Sequence, residues 1–244
     1  MNSKFPTDSS MYNFLPPSIL GHLIFQPKAA SGKPLPAGLH QLSASCGVLG
    51  ERATILYVPT DLDPSNPVKL LVMFHGAGGS AEKVRPEFQS FAENHKFLLM
   101  LPQSTYQTWD LTIGGNGPDL EKLDKALTEV NTHFTIDSQH FGFCGFSDGA
   151  SYSLSIGLSN GHILSHIIAL SGGFMNLYVP RGKPRVFIAH SPEDEQLPMN
   201  TSGLFHYKEL KNNGYDVIFH EFHGRHQIHP PVVKAALDFF LKEQ

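Results

Sequence analysis

The stretch from residue 141 to residue 150 constrains the fold more than any other part of this chain. A short apolar run ends in Gly-Phe-Ser-Asp-Gly at 145–149, and the residues that follow carry apolar side chains at helical spacing. This order predicts a strand, a sharp turn and a helix, with the hydroxyl of Ser147 lifted clear of the sheet. Gly145 and Gly149 would let the turn be tight and the helix pack closely on the strand. We therefore predict that Ser147 is a nucleophile; the alternative is a chance pattern in a chain with 22 glycines.

Apolar runs and helical patterns alternate along much of the chain. Predicted buried strands cover residues 70–74, 97–101, 141–146, 166–170, 186–190 and 216–222, and further strands are expected at 22–26, 39–44 and 53–59. One predicted helix begins near Ser80. Four others cover residues 119–134, 150–158, 204–212 and 232–242. This alternation indicates an α/β fold, in which a mostly parallel sheet carries helices on both faces. Because no long insertion separates the strands, we predict no large lid; short loops, with or without the N-terminal residues, would cover the site.

The composition indicates one globular domain. Hydrophobic residues make up 41% of the 244 residues and charged residues 16%, which fits a folded chain rather than a disordered one. We predict a single catalytic domain over residues 21–244. An irregular arm over residues 1–20 precedes it, because Pro16 and Pro17 disfavour a helix there.

Charge and cysteine content limit the expected partners and compartment. The net charge is −4 and no block of Lys or Arg is present, which argues against nucleic acid or an anionic membrane surface as a partner. No apolar run approaches the length of a membrane span or has the pattern of a signal peptide. The two cysteines, Cys46 and Cys144, imply no disulfide framework. We therefore expect a cytoplasmic protein, whose oligomeric state the sequence does not indicate.

Two loops near the end of the chain carry groups that would activate Ser147. An activated serine requires a base and the base an orienting acid, and in sheets of this kind the chain order is nucleophile, acid, base. The loop after residue 190 offers three carboxylates: Glu193, Asp194 and Glu195. The loop after the last strand offers His223 and His226. Gly224 permits a tight turn before His226, which favours His226 as the base.

The histidines of this last region also suggest a metal cluster. His220 falls within the predicted strand and His229 at the start of the final helix, next to Pro230. Zinc sites need three or four converging ligands, and neither a cysteine ligand nor a His-Glu-x-x-His helix is present here. We therefore predict no metal and no cofactor.

A glycine-rich loop follows the strand at 70–74 and would stabilise a negative oxygen. It reads His-Gly-Ala-Gly-Gly-Ser at 75–80, and its glycines allow the backbone to approach a substrate closely. We predict that the backbone N–H groups of Ala77 and Asp148 form an oxyanion hole. A plain turn or a phosphate loop is the alternative, although the signature of a phosphate loop is incomplete. Three further residues are candidates for the substrate pocket: His75, Gly76 and Trp109. Packing over the core is an equal alternative for Trp109.

These motifs together resemble those of serine carboxylesterases in the α/β-hydrolase superfamily. The similar groups are the phospholipase/carboxylesterase, dienelactone-hydrolase-like, and polyhydroxybutyrate-depolymerase or feruloyl-esterase-like enzymes. The resemblance covers residues 38–240 and rests on the motifs at 75–80, 145–149, 190–198 and 224–228. It implies four roles: Ser147 as nucleophile, Asp194 as acid, His226 as base and Ala77 as an oxyanion donor. Two positions depart from the family pattern, because Ser191 stands where glycine is usual and Arg225 where a small residue is common.

The expected function is hydrolysis of a small to medium carboxylic ester through an acyl-enzyme. A thioesterase, a lysophospholipase or an acyltransferase that acts on longer acyl chains is an alternative within the same chemistry. A protein of this fold that only binds a small molecule is an alternative of another class, although such proteins often lack one of the three catalytic side chains, and all three are present here.

Overall fold

The computed structural model describes residues 5–6, 14–42, 53–113 and 117–242. Within them the strands are β1 (Gly38–Leu42), β2 (Thr54–Val58), β3 (Val68–Phe74), β4 (Leu98–Leu101), β5 (Ile136–Phe146), β6 (His166–Leu170), β7 (Arg185–His190) and β8 (Val217–Glu221). The α-helices are α1 (Ala81–His95), α2 (Pro118–His133), α3 (Asp148–Ser159), α4 (Gly203–Asn212) and α5 (Pro230–Leu241). Short 3₁₀ helices cover Asp110–Ile113 and Met199–Thr201.

The strands described form one sheet in the order β1-β2-β4-β3-β5-β6-β7-β8. β2 is antiparallel to both of its neighbours, whereas all pairs from β4 to β8 are parallel. The carboxyl ends of β3 to β8 therefore meet at one edge of the sheet, where open sheets of this kind bind ligands. The predicted mostly parallel sheet, flanked by helices and without a large lid in the described residues, is confirmed.

The core lies on both faces of the sheet. Leu70, Val72 and Phe74 of β3 pack with α2 and α3, while Leu71 and Met73 pack with α1 and α5 on the other face. All five side chains are fully buried. A strand covered on both sides needs a continuous apolar run, and for this reason β3 shows no alternation in its sequence.

The predicted strand at 22–26 is wrong. The backbone there lies against helices and bonds to their side chains instead of to a neighbouring strand. The N–H of Leu23 donates to the side chain of Asn160 at 2.9 Å, and the N–H groups of Ile24 and Phe25 donate to the carboxylate of Asp124 at 3.0 and 2.6 Å. Asn160 follows the last residue of α3, so this segment lies at the end of α3 that faces away from the carboxyl edge of the sheet.

Other boundaries differ less. β5 begins at Ile136, five residues before the predicted position 141. Ile136 pairs with Val68 of β3, and the register then shifts so that Leu70 pairs with Phe141. Ser80 caps α1 as predicted, and its hydroxyl accepts a hydrogen bond from the N–H of Lys83 at 3.2 Å. Cys46 and the last two residues of the predicted strand at 39–44 lie outside the described residues. In the described part of the chain, no helix is both long enough and apolar enough to cross a membrane.

Candidate active site

Ser147 occupies the turn between β5 and α3 in a backbone conformation that few non-glycine residues adopt. Its φ is 56° and its ψ is −121°. The two flanking glycines make this turn possible. A Cβ on Gly145 would overlap the backbone of Gly149, and a Cβ on Gly149 would overlap the carbonyl oxygen of Phe74. The N–H of Ser147 donates to the carbonyl of Leu170 at 2.9 Å, so β6 also holds the turn.

The structure brings the side chains of Ser147, His226 and Asp194 together. The Oγ atom of Ser147 lies 2.8 Å from Nε2 of His226, and Nδ1 of His226 lies 2.7 Å from Oδ2 of Asp194. In this arrangement Nδ1–H donates to the carboxylate, which leaves Nε2 free to accept the hydroxyl proton. The three residues come from the carboxyl ends of β5, β7 and β8, so the sheet holds them in place.

Asp194 is fully occupied by hydrogen bonds. Its Oδ1 accepts the N–H groups of Gln196 and Leu197 at 3.0 and 2.8 Å, while Oδ2 faces His226. Burial by itself raises the pKa of this carboxyl, but the bonds from His226 and from the two amides outweigh burial and hold the pKa below its usual value. Asp194 is therefore a carboxylate suited to orient an imidazole.

His190 supports the acid loop from below. Its ring is completely buried, and Nε2–H donates to the carbonyl of Leu197 at 2.7 Å. Burial lowers the pKa of His190, which favours a neutral ring. Ser191, which departs from the family pattern, is also buried, and its hydroxyl accepts the N–H of Glu193 at 3.0 Å. The serine therefore closes the turn that precedes Asp194.

The alternative acids and the alternative base lie at the rim. Glu193 pairs with His223 at 2.9 Å, and Glu195 lies 3.7 Å from Arg225. All four side chains are more than half exposed, in contrast to Asp194 and His226. Arg225 points to solvent, so it occupies a position usually held by a small residue without entering the site.

The glycine-rich loop lies directly beside Ser147. A Cβ on Gly76 would be 3.2 Å from the Cβ of Ser147, which places the backbone of this loop against the nucleophile. Within the described chain, no acceptor pairs with the backbone N–H of Ala77 or with that of Asp148, the first residue of α3. Both amides are thus free to bind an incoming oxygen.

His75 and Trp109 lie in the interior, beneath the glycine-rich loop. Nε2 of His75 accepts hydrogen bonds from the Gln103 side chain at 2.9 Å and from the N–H of Ser104 at 3.2 Å. The indole N–H of Trp109 donates to the carbonyl of His75 at 2.8 Å, and its ring stacks on Tyr152 at 4.9 Å. Both His75 and Trp109 are 1% exposed, so the structure favours the packing interpretation over a direct place in the pocket wall.

Sequence reasoning missed one contact at this site. The hydroxyl of Thr108 donates to Oδ2 of Asp148 at 2.6 Å. Thr108 precedes the only tryptophan of the chain, but no motif marks it. Only the fold shows that the loop after β4 reaches the first residue of α3.

A metal site finds no support in the described residues, where no group of three His, Cys, Asp or Glu side chains is arranged to hold a metal ion. His220 lies in β8, and His229 immediately precedes α5 with its ring packed near Gly224. His220 and His229 therefore lie on different elements and do not form a cluster of metal ligands.

Comparison with known proteins gives esterases. No family model matches the chain. A probable feruloyl esterase C of Aspergillus niger is 24% identical over 197 residues, which are 77% of this chain and 69% of the relative. The solved structure of esterase PE8 has a TM-score of 0.60 at 20% identity and covers 75% of this chain and 97% of its own. The fluorophosphonate-binding serine hydrolase F of Staphylococcus aureus has a TM-score of 0.66 at 15% identity, over 85% of this chain and all of its own.

The solved structures share the α/β-hydrolase fold with this chain, and the curated relative is an esterase. The predicted resemblance is thereby confirmed: the chain has the α/β-hydrolase fold and is similar in sequence to feruloyl esterases and in structure to esterases and serine hydrolases.

Proposed function

We propose that this protein hydrolyses carboxylic esters through a Ser147–His226–Asp194 triad and an acyl-enzyme. The observation that carries the proposal is the unbroken chain of two hydrogen bonds, 2.8 and 2.7 Å long, from the serine hydroxyl to the buried carboxylate. Such a chain turns a weak nucleophile into a reactive one, because the base removes the proton as the oxygen attacks.

The proposed mechanism assigns each step to a side chain or backbone group of this site. Ser147 attacks the ester carbonyl while Nε2 of His226 takes its proton, and Asp194 stabilises the imidazolium that forms. The N–H groups of Ala77 and Asp148 bind the negative oxygen of the tetrahedral intermediate. His226 then protonates the leaving alcohol, and the same base activates a water molecule that releases the acid. No metal or cofactor takes part in this scheme.

Replacement of Ser147 tests the proposal directly. Ser147→Ala is expected to lower kcat on p-nitrophenyl acetate by roughly 10⁶-fold and to abolish labelling by a fluorophosphonate probe, because only an activated serine reacts. Ser65→Ala, in an exposed turn, is the matched control and should behave as the parent protein. A Ser147→Ala protein that hydrolyses at the parent rate would contradict the proposed nucleophile, and an unlabelled parent protein would favour a role in binding only.

The substrate is proposed to be a small to medium ester. Ferulate esters are the first compounds to test, because the curated relatives are named feruloyl esterases. A series of p-nitrophenyl esters from acetate to palmitate, with an acyl thioester beside it, separates this proposal from a thioesterase or lysophospholipase. Preference for palmitate or for the thioester would favour those alternatives, and ester formation with an added alcohol would favour an acyltransferase.

The cytoplasmic location stays a prediction from the sequence. Fractionation of cells that express the full-length gene product, followed by fluorophosphonate labelling of each fraction, would test it.

A further inference from the structure

The segment from Gln103 to Trp109, which follows β4, contacts both sides of the proposed oxyanion hole; we call it the strap. On the side of the glycine-rich loop, the N–H of Gly78 donates to the carbonyl of Gln107 at 2.7 Å. The indole of Trp109 and the side chain of Gln103 both bond to His75, at 2.8 and 2.9 Å. The strap therefore fixes the backbone that leads into and out of Ala77.

On the other side, the strap holds the residue that follows the nucleophile. The hydroxyl of Thr108 donates a hydrogen bond to the carboxylate of Asp148 at 2.6 Å, and both residues are half-buried. Trp109, the next residue, stacks on Tyr152 one turn further along α3. One short segment thus touches the loop of Ala77 and the helix that begins at Asp148.

An unrestrained Asp148 carboxylate would interfere with the proposed reaction. It lies on the residue whose own N–H is proposed to bind the oxyanion, and a second free N–H, that of Ala77, is on the adjoining loop. A free carboxylate is attracted to unpaired N–H groups at a helix N-terminus. If it turned toward them, it would compete for the donors and would place a negative charge where the transition state develops one. The bond to Thr108 occupies the carboxylate elsewhere.

We propose that Thr108 is a positioning residue for the oxyanion hole, which acts by holding the Asp148 carboxylate against the strap. The inference rests on the proposed function, because the oxyanion exists only if Ser147 attacks an ester. Thr108 forms no hydrogen bond with Ser147 or His226 in the described structure, and it is not itself a catalytic residue. Its role is to keep the two N–H donors available.

Two substitutions of Thr108 test this inference. Thr108→Val keeps the shape but removes the hydroxyl, and we expect kcat to fall about tenfold or more with KM changed less than about threefold, since the loss is felt in the transition state. Thr108→Ser keeps the hydroxyl and should recover kcat to within about threefold of the parent protein. Thr128→Val is the matched control, because the hydroxyl of Thr128 bonds only to its own helix on an exposed face.

A double variant separates the carboxylate from packing. If the freed carboxylate is the cause, Thr108→Val/Asp148→Ala should turn over faster than Thr108→Val alone. A Thr108→Val protein with kcat within about twofold of the parent, a Thr108→Ser protein as slow as Thr108→Val, or a double variant no faster than Thr108→Val would each overturn the inference. If the Ser147→Ala variant still hydrolyses the ester at the parent rate, the proposed function itself is overturned.

Discussion

Asp194 makes a different bond with each of its carboxylate oxygens. One oxygen accepts the N–H of His226 and the other accepts the backbone N–H groups of Gln196 and Leu197. All of these partners favour the charged form, which is why the pKa lies below its usual value although the side chain is buried. An acid held in this way orients the imidazole and does not take its proton.

Replacement of Asp194 by asparagine tests that role. The amide NH₂ of Asp194→Asn cannot accept the proton of Nδ1, so His226 would adopt the tautomer that presents N–H to Ser147; we expect kcat to fall by roughly 10⁴-fold. Circular dichroism should remain unchanged. Glu193→Gln is the matched control on the neighbouring, exposed carboxylate and should stay within about twofold of the parent protein. Retention of a tenth of the activity by Asp194→Asn would contradict an orienting role for this carboxylate.

Residue types and chain order were enough to predict where Ser147, His226 and the acid loop would be. The choice of Asp194 among three adjacent carboxylates came from the family resemblance, because spacing alone does not say which of them faces inward. Thr108 was not predicted, since its partner Asp148 lies 40 residues further along the chain, at the start of α3, and no local pattern links the two residues. Long-range side-chain contacts of this kind leave no local pattern.

At the scale of the elements, the start of α2 depends on the first residue of the preceding 3₁₀ helix. Gly117, the N-cap position of α2, has no side chain to cap the helix. Oδ2 of Asp110 takes over, since it accepts the N–H groups of Gly117 and Asp119 at 2.9 Å each. Burial, and then the charge of Asp119, raise the pKa of Asp110 to about 6. The fold tolerates this buried charge because it satisfies amides that would otherwise be unpaired.

We expect Asp110→Ala to lower the free energy of unfolding by about 2 kcal/mol or more, because several buried N–H groups at the start of α2 lose their acceptor. Urea denaturation followed by circular dichroism measures this change. Asp63→Ala removes a carboxylate that accepts one backbone N–H, that of Ser65, in an exposed turn, and should cost less than about 1 kcal/mol. Equal losses in the two variants would show that burial of the cap does not matter.

Elements were predicted well where their apolar pattern is local. The predicted strand at 166–170 has the bounds of β6. The start of β5 was not predicted, because the residues between Ile136 and Phe141 are polar and show no strand pattern. The segment at 22–26 has strand-like residues, but none of the strands in the described part of the chain pairs with it. Whether an extended segment joins a sheet depends on its neighbours in space, which the sequence does not state.

At the scale of the whole molecule, stability is expected to fall in mild acid. Burial, and then the nearby charge of Arg185 and the ring of His140, lower the pKa of His166 to about 4, while the charge of Asp216 opposes this shift. The unfolded chain therefore binds a proton at this residue from pH 6.5 downward, and the folded chain does so only near pH 4. Stability from this group is complete above pH 6.5 and is lost as the pH falls toward 4. His22, whose pKa is also lowered to about 4, acts in the same direction.

His166→Gln removes the titrating ring and should reduce the loss of unfolding free energy between neutral pH and pH 4. At about 1.4 kcal/mol per pKa unit, the reduction is expected to be roughly 3 kcal/mol at most. Urea denaturation at both pH values measures it. His95→Gln, at the exposed end of α1, is the matched control and should keep the parent profile. An unchanged profile in His166→Gln would show that other groups govern the acid response.

β8 is the last strand of the sheet, and each of its residues is partly open to solvent, whereas every residue of the neighbouring β7 after Arg185 is buried. The loop that carries the imidazole of His226 begins where β8 ends. The catalytic base is thus attached to an edge strand, where local unfolding costs the least free energy. On warming, we therefore expect activity to be lost at a lower temperature than the one at which most of the sheet and helices unfold.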